Sequence, residues 1–221
     1  MKILLYNYVQ ALIHPFKFHN FLRTERGKKH NLEPLRLAEE DEFLPGALVN
    51  LMRLNFVESV GISWIFVILR AFYSFFGLWL GKFILEGMGW GVKGSFDDKK
   101  IILIFQVGQV VFFPLMVWLY VKFWSLLIVF FGILYDKEDH SSEIAEEILN
   151  TSLCTYAFLA IPIFGGFLQK IVSLVFIFIG LKENMKLGTL QSFLVVLSPI
   201  FLTLFLLFMG VTSIMVIFDS L

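Results

Sequence analysis

Four apolar blocks, each long enough to cross a bilayer, constrain this chain more than any other feature. The hydrocarbon core of a membrane is about 30 Å thick, so a helix rising about 1.5 Å per residue spans it with about 20 apolar residues. The blocks cover residues 60–85, 101–135, 148–181 and 190–218. No water inside the bilayer pairs backbone N–H and C=O groups, and open-edged strands are excluded there, so each block must be helical. Composition agrees, with 58% hydrophobic and 16% charged residues against about 45–50% and about 25% in soluble domains. The fold class expected is all-α, a polytopic membrane helix bundle with amphipathic amino-terminal helices.

The third block is interrupted by Pro162 and by Gly165-Gly166. Proline removes a backbone donor and disfavours helix at the residue before it, while paired glycines permit a tight reversal. Two short helices are therefore predicted. The upstream one has Ser142 as N-cap, and Glu143, Glu146 and Glu147 complement the positive end of its dipole. Its early turns carry Ile144, Ile148 and Leu149 on one side, so it begins in the interface. The second block leaves two alternatives open. As one helix its 35 residues would measure about 52 Å; as two, bent at Pro114, it would cross twice. One helix gives five crossings and two give six. Counting lysines and arginines by side favours five, with the amino terminus inside. The inner segments then hold most of them, and the outer ones only Lys93, Lys99 and Lys100.

Residues 1–58 form a cytoplasmic or interfacial segment, and residues 59–221 the transmembrane bundle. Leu4, Leu5, Tyr8, Val9, Leu12 and Ile13 have helical spacing and suit a helix lying in the membrane interface. Residues 23–42 mix charges of both signs and are expected as a solvent-exposed loop. A second amphipathic stretch, from Phe43 to Met52, leads into the first crossing.

Chemistry-bearing residues are few. The formal net charge is +0, whereas nucleic acid demands a basic face, so none is expected as a partner. The single cysteine, Cys154, allows no intramolecular disulfide. His14, His19, His30 and His140 lie outside the blocks and lack the spacing of a zinc-protease helix; they read as structural or surface residues. Ser74 and Ser125 have no base partner for hydrolase chemistry. No cofactor, metal or catalytic residue is expected, and the chain reads as non-enzymatic. Three cations fall inside apolar blocks, Arg70, Lys122 and Lys170, and mark a candidate intramembrane polar site. Either they serve an anionic group or they snorkel to the headgroups. Gly77 and Gly81 form a small-xxx-small pair for helix packing, within the bundle or between copies.

The carboxyl-terminal half resembles the Yip-domain family of polytopic membrane proteins, bacterial branch. The residues that carry the likeness are Tyr156-Ala157, then Ile161-Pro162-Ile163-Phe164-Gly165-Gly166-Phe167, then Ile177-Phe178-Ile179-Gly180-Leu181-Lys182-Glu183. Near the amino terminus His14-Pro15-Phe16-Lys17-Phe18 is similar to the family's proline-aromatic entry. The resemblance implies five crossings, a cytoplasmic amino terminus, and an Ile-Gly-Leu turn before the last helix. Eukaryotic relatives act in vesicle trafficking and contact small GTPases. This chain lacks the Asp-Leu-Tyr-Gly-Pro motif that relatives carry before the first crossing, which argues against GTPase binding. The family has no catalytic residues to transfer.

The leading expectation is a membrane-organising or partner-binding scaffold in a bacterial inner membrane. Its partners would be the lipid bilayer and other membrane proteins or a second copy of the chain. The alternative is a small transporter or permease subunit with a polar site near Arg70 and Lys122, since broken helices mark transport sites.

Overall fold

A computed structural model describes residues 2–36, 54–89, 96–137 and 140–219, and among them every regular element is helical. Helices α1 (Lys2–Ile13) and α2 (Pro15–Arg36) precede α3 (Phe56–Gly87) and α4 (Phe96–Leu134). Helix α5 (Ser141–Ser152) continues directly into a 3₁₀ segment (Leu153–Ala160), then α6 (Gly165–Glu183) and α7 (Thr189–Asp219) follow. Among the described residues four stretches are long and apolar enough to cross a membrane: Phe56–Gly81, Leu103–Leu134, Gly165–Glu183 and Thr189–Met215. The second amphipathic stretch, Phe43 to Met52, lies outside the described residues.

The second apolar block is one helix of 39 residues that runs straight through Pro114. A proline cannot donate to the carbonyl four residues back, here that of Val110. The Trp64 indole Nε1–H of α3 donates to that carbonyl at 2.8 Å, so the orphaned acceptor is satisfied across the α3–α4 contact. The same remedy recurs in α7, where Pro199 frees the Val195 carbonyl and Ser198 Oγ donates to it at 2.7 Å. Trp64→Phe should lower stability by about 0.6–1.7 kcal/mol, the range for a hydrogen bond between membrane helices. Equilibrium unfolding in mixed micelles would measure it, and an unchanged midpoint would mean the carbonyl tolerates being bare.

The third block folds back on itself, but not as the sequence suggests. Ser142 is no cap: the helix starts at Ser141, and the capping position is His140, held at φ 60° with no side-chain cap. Residues 135–137 and 140 leave only a short connection from α4, and Asp136 also adopts a positive φ, of 53°. The reversal after Ala160 puts its left-handed residue at Ile163 (φ 68°), not at a glycine. Gly165 and Gly166 instead open α6, where they serve close approach. A Cβ on Gly165 would stand 2.3 Å from the Phe158 carbonyl oxygen. The Ile179-Gly180-Leu181 stretch, expected as a turn, is helical, and a Cβ on Gly180 would meet the Ile148 side chain at 2.7 Å. Gly165→Ala pushes against backbone rather than a movable side chain, and should cost about 1–3 kcal/mol. Helix content should stay near wild type while the unfolding midpoint drops; an unshifted midpoint would show the turn relaxing freely.

The core sits where α4, α5, α6 and α7 meet. Trp124, Ile128, Ile148, Leu149, Ile177 and Val195 are all buried there. A second cluster ties the amino-terminal helices to this bundle, with Tyr8, Ala11, Phe18 and Leu22 buried against Leu54 and Cys154. Segment 1–58 is therefore docked on the bundle through its described helices, as well as offering an apolar stripe outward. Residues 23–36 are helical rather than a loop. Tertiary anchors explain that difference, because Arg23 and Arg26 both reach partners on the bundle.

Hydrogen bonds and contacts set the directions of the helices. Ser63 and Tyr73 of α3 reach Leu153 and Leu159 in order, so α3 runs parallel to the 3₁₀ segment. Gly132 lies by Ser141 and Phe113 by Tyr156, so α4 runs antiparallel to α5 and its extension. Glu147 lies by Asn184 and Phe158 by Gly165, so α6 returns antiparallel to both.

Candidate functional site

Two of the three cations that fall inside the apolar blocks share one groove. It has a volume of about 940 Å³ and lies between α3, α4, the 3₁₀ segment and the start of α6. Arg70 of α3 and Lys170 of α6 line it, with Gln109 and Gln169. Among the described residues no aspartate or glutamate does. The remaining lining is apolar, for example Ile104, Phe105, Phe112, Met116 and Phe167. Lys122 is exposed on α4 outside this groove, so the three cations do not form one cluster.

The turn of the α5–α6 hairpin positions Arg70. Tyr73, one turn further along α3, donates its hydroxyl to the Leu159 carbonyl at 2.6 Å. That bond satisfies an acceptor that the end of the 3₁₀ segment leaves unpaired. It also brings Arg70 onto Gly166, where a Cβ would lie 3.3 Å from Cζ, Nη1 and Nη2 alike. Equal distances to three atoms of a planar group mean that its face covers the glycine. The edge N–H groups are left uncovered by that contact. Both cations are exposed and line this largely apolar groove, where an unpaired charge away from water is costly. Two cations beside one cavity therefore call for a compensating anion or water.

Gly77 and Gly81 play no comparable part within one chain. Among the described residues a Cβ on either would meet nothing within 4 Å. Neither glycine therefore shows a packing contact among the described residues.

At the opposite end of the hairpin is a polar cluster that sequence reasoning missed. Glu147 of α5 is 5% exposed and pairs with Arg26 of α2. Asn184, just past α6, donates Nδ2–H to Glu147 Oε2 at 2.9 Å and accepts from Arg26 Nη2 at 2.7 Å. Arg23 donates to the Glu183 carbonyl at 2.9 Å, placing a cation on the negative end of α6. His19 is fully buried beside them, and neither ring nitrogen has a hydrogen-bond partner among the described residues. Burial first, and Arg26 second, push its imidazole down to about 4. One signal was available in the sequence. Glu147 lies three residues after Ile144 and one before Ile148, on the apolar side of α5, where a carboxylate needs a partner. That the partner is Arg26, 121 residues away, no spacing rule could tell. Among the described residues no group of His, Cys, Asp and Glu could hold a metal ion.

Comparison of the chain with protein-family models, with curated proteins and with solved structures gives no match.

Proposed function

We propose that this protein is a non-enzymatic, membrane-organising scaffold of Yip-like type. It crosses a bacterial inner membrane five times, with its amino terminus on the cytoplasmic side. The observation that carries this reading is the two-sided burial of α1. Tyr8 and Ala11 pack into the protein, while Leu5, Val9 and Ile13, one turn apart on the other side, are exposed. Such a helix is apolar toward both neighbours, which suits a position between bundle and lipid and leaves a face for a membrane-embedded partner. Five crossings are supported by the alternation of helix directions. The passage formed by α5 and its 3₁₀ extension counts as one of the five, and its polar side chains are enclosed by protein rather than lipid. The family likeness and the excess of lysine and arginine at the α2 end of the bundle point the same way.

A photo-crosslinking residue in place of Val9 tests the scaffold directly. Defined lipid or membrane-protein adducts are expected from cells. Adding Leu5→Glu and Ile13→Glu should abolish them while helix content is preserved. Adducts that survive both glutamates would count against the proposal. A second reading, a small transporter, draws on the groove that Arg70 and Lys170 share. It requires solute flux in reconstituted vesicles that is lost on Arg70→Ala, and the separate position of Lys122 weighs against it.

A further inference from the structure

We propose that the groove beside the hairpin turn holds an anionic glycerophospholipid, its phosphate on Arg70 and Lys170 and an acyl chain along the apolar wall of α4. The charge balance is one-sided. Among the described residues the groove is lined by two cations and two amides and by no acid. Neither Arg70 nor Lys170 has a carboxylate partner among the described residues. The guanidinium lies flat on Gly166, which leaves its edge donors free for the paired oxygens of a phosphate, the geometry arginine matches best. Gln109 of α4 and Gln169, beside Lys170 on α6, add amide donors.

The walls argue for a lipid over a soluble anion. Ile104, Phe105, Phe112, Met116 and Phe167 line the groove and are each more than half exposed. A groove whose apolar walls are this exposed is not sealed by protein, so in a bilayer its contents exchange with lipid. Acyl chains suit such walls, whereas a small hydrophilic anion would have to cross hydrocarbon to reach the cations. Basic pockets between crossing helices are established sites for lipid phosphates. The proposal stands independently of the scaffold reading, because it concerns α3, α4 and α6 and not α1.

The test uses the full chain in nanodiscs of equimolar phosphatidylglycerol and phosphatidylcholine with matched acyl chains. Lipid retained on the protein after release is then identified by native mass spectrometry. Enrichment of phosphatidylglycerol by about fivefold or more is expected, since each lysine or arginine contributes about that factor toward an anionic lipid. Combined Arg70→Gln and Lys170→Gln should bring the ratio near unity, while Lys122→Gln, an exposed cation outside the groove, should leave it unchanged. Should the double substitution fail to fold, Arg70→Lys keeps the charge, loses the planar fork, and should still reduce enrichment. No enrichment in the wild type, or equal loss in Lys122→Gln, would overturn the proposal. Excess inorganic phosphate should leave the bound lipid in place; displacement by it would assign the groove to a soluble anion instead. Loss of α1 crosslinks with lipid enrichment intact would remove the scaffold reading alone.

Discussion

Glu147→Ala should destabilise the protein by about 3–5 kcal/mol, the cost of leaving one partner of a buried ion pair uncompensated. The carboxylate holds Arg26 and Asn184 together, and Arg26 is itself only 14% exposed. Removing the carboxylate strands a guanidinium between α2, α5 and α6 and loosens the seat of the amino-terminal helices. Denaturant titration should show the lowered stability, and limited proteolysis should cut within α2 much faster than in wild type. The pair itself need not be stabilising relative to an apolar replacement. Arg26→Met combined with Glu147→Met should recover most of the loss, since desolvation of two charges offsets much of their attraction. A single substitution costing less than about 1 kcal/mol, the range of exposed pairs, would mean that water reaches the cluster.

Acidification should weaken the same region through His19. Its imidazole titrates at about 4 in the folded protein against 6.5 ordinarily, so the unfolded chain takes up the proton first. The stability conferred by keeping the ring neutral is fully present above pH 6.5 and declines as pH falls toward 4. The loss over that interval is about 3 kcal/mol, at about 1.4 kcal/mol per pH unit of displacement. Below the folded value this group adds no further slope. His19→Phe has nothing to protonate there, so its stability should vary less between neutral and acid pH, other carboxylates contributing equally to both proteins. Parallel curves for wild type and variant would show the ring to be hydrated or charged in the folded state.

Apolar length was readable directly, because lipid as solvent leaves so few solutions. The helices at residues 56–87, 96–134 and 189–219 cover the first, second and fourth blocks. Pro162 located the reversal for the same reason, as a missing donor ends a helix whatever surrounds it. What stayed hidden depended on contacts between distant residues. Pro114 looks like a break until Trp64 is seen to occupy the carbonyl that it frees. Gly165 and Gly166 look like flexible turn residues until Phe158 and Arg70 are found where their side chains would be. The charged run after Phe21 looks like a loop until Glu147 and the end of α6 supply counterparts. Arg70 and Lys170 stood out as misplaced charges. That they meet in one groove while Lys122 stands apart follows from the hairpin geometry alone.

The enclosed polarity of α5 also governs how the molecule is made. Glu147, Asn150, Thr151, Ser152 and Thr155 are all buried on this one passage, so it partitions poorly into lipid by itself. Helices α3, α4 and α7 are greasy over most of their circumference and enter the bilayer singly as they leave the ribosome's exit channel. If α5 and its extension form a fifth crossing, as proposed, they should insert only once α4 and α6 flank them, with α2 closing over the Glu147 carboxylate. Biogenesis is thus sequential: a truncation ending before residue 165 would strand a half-inserted hairpin and be cleared by membrane proteases, whereas one ending after α6 would already be shielded.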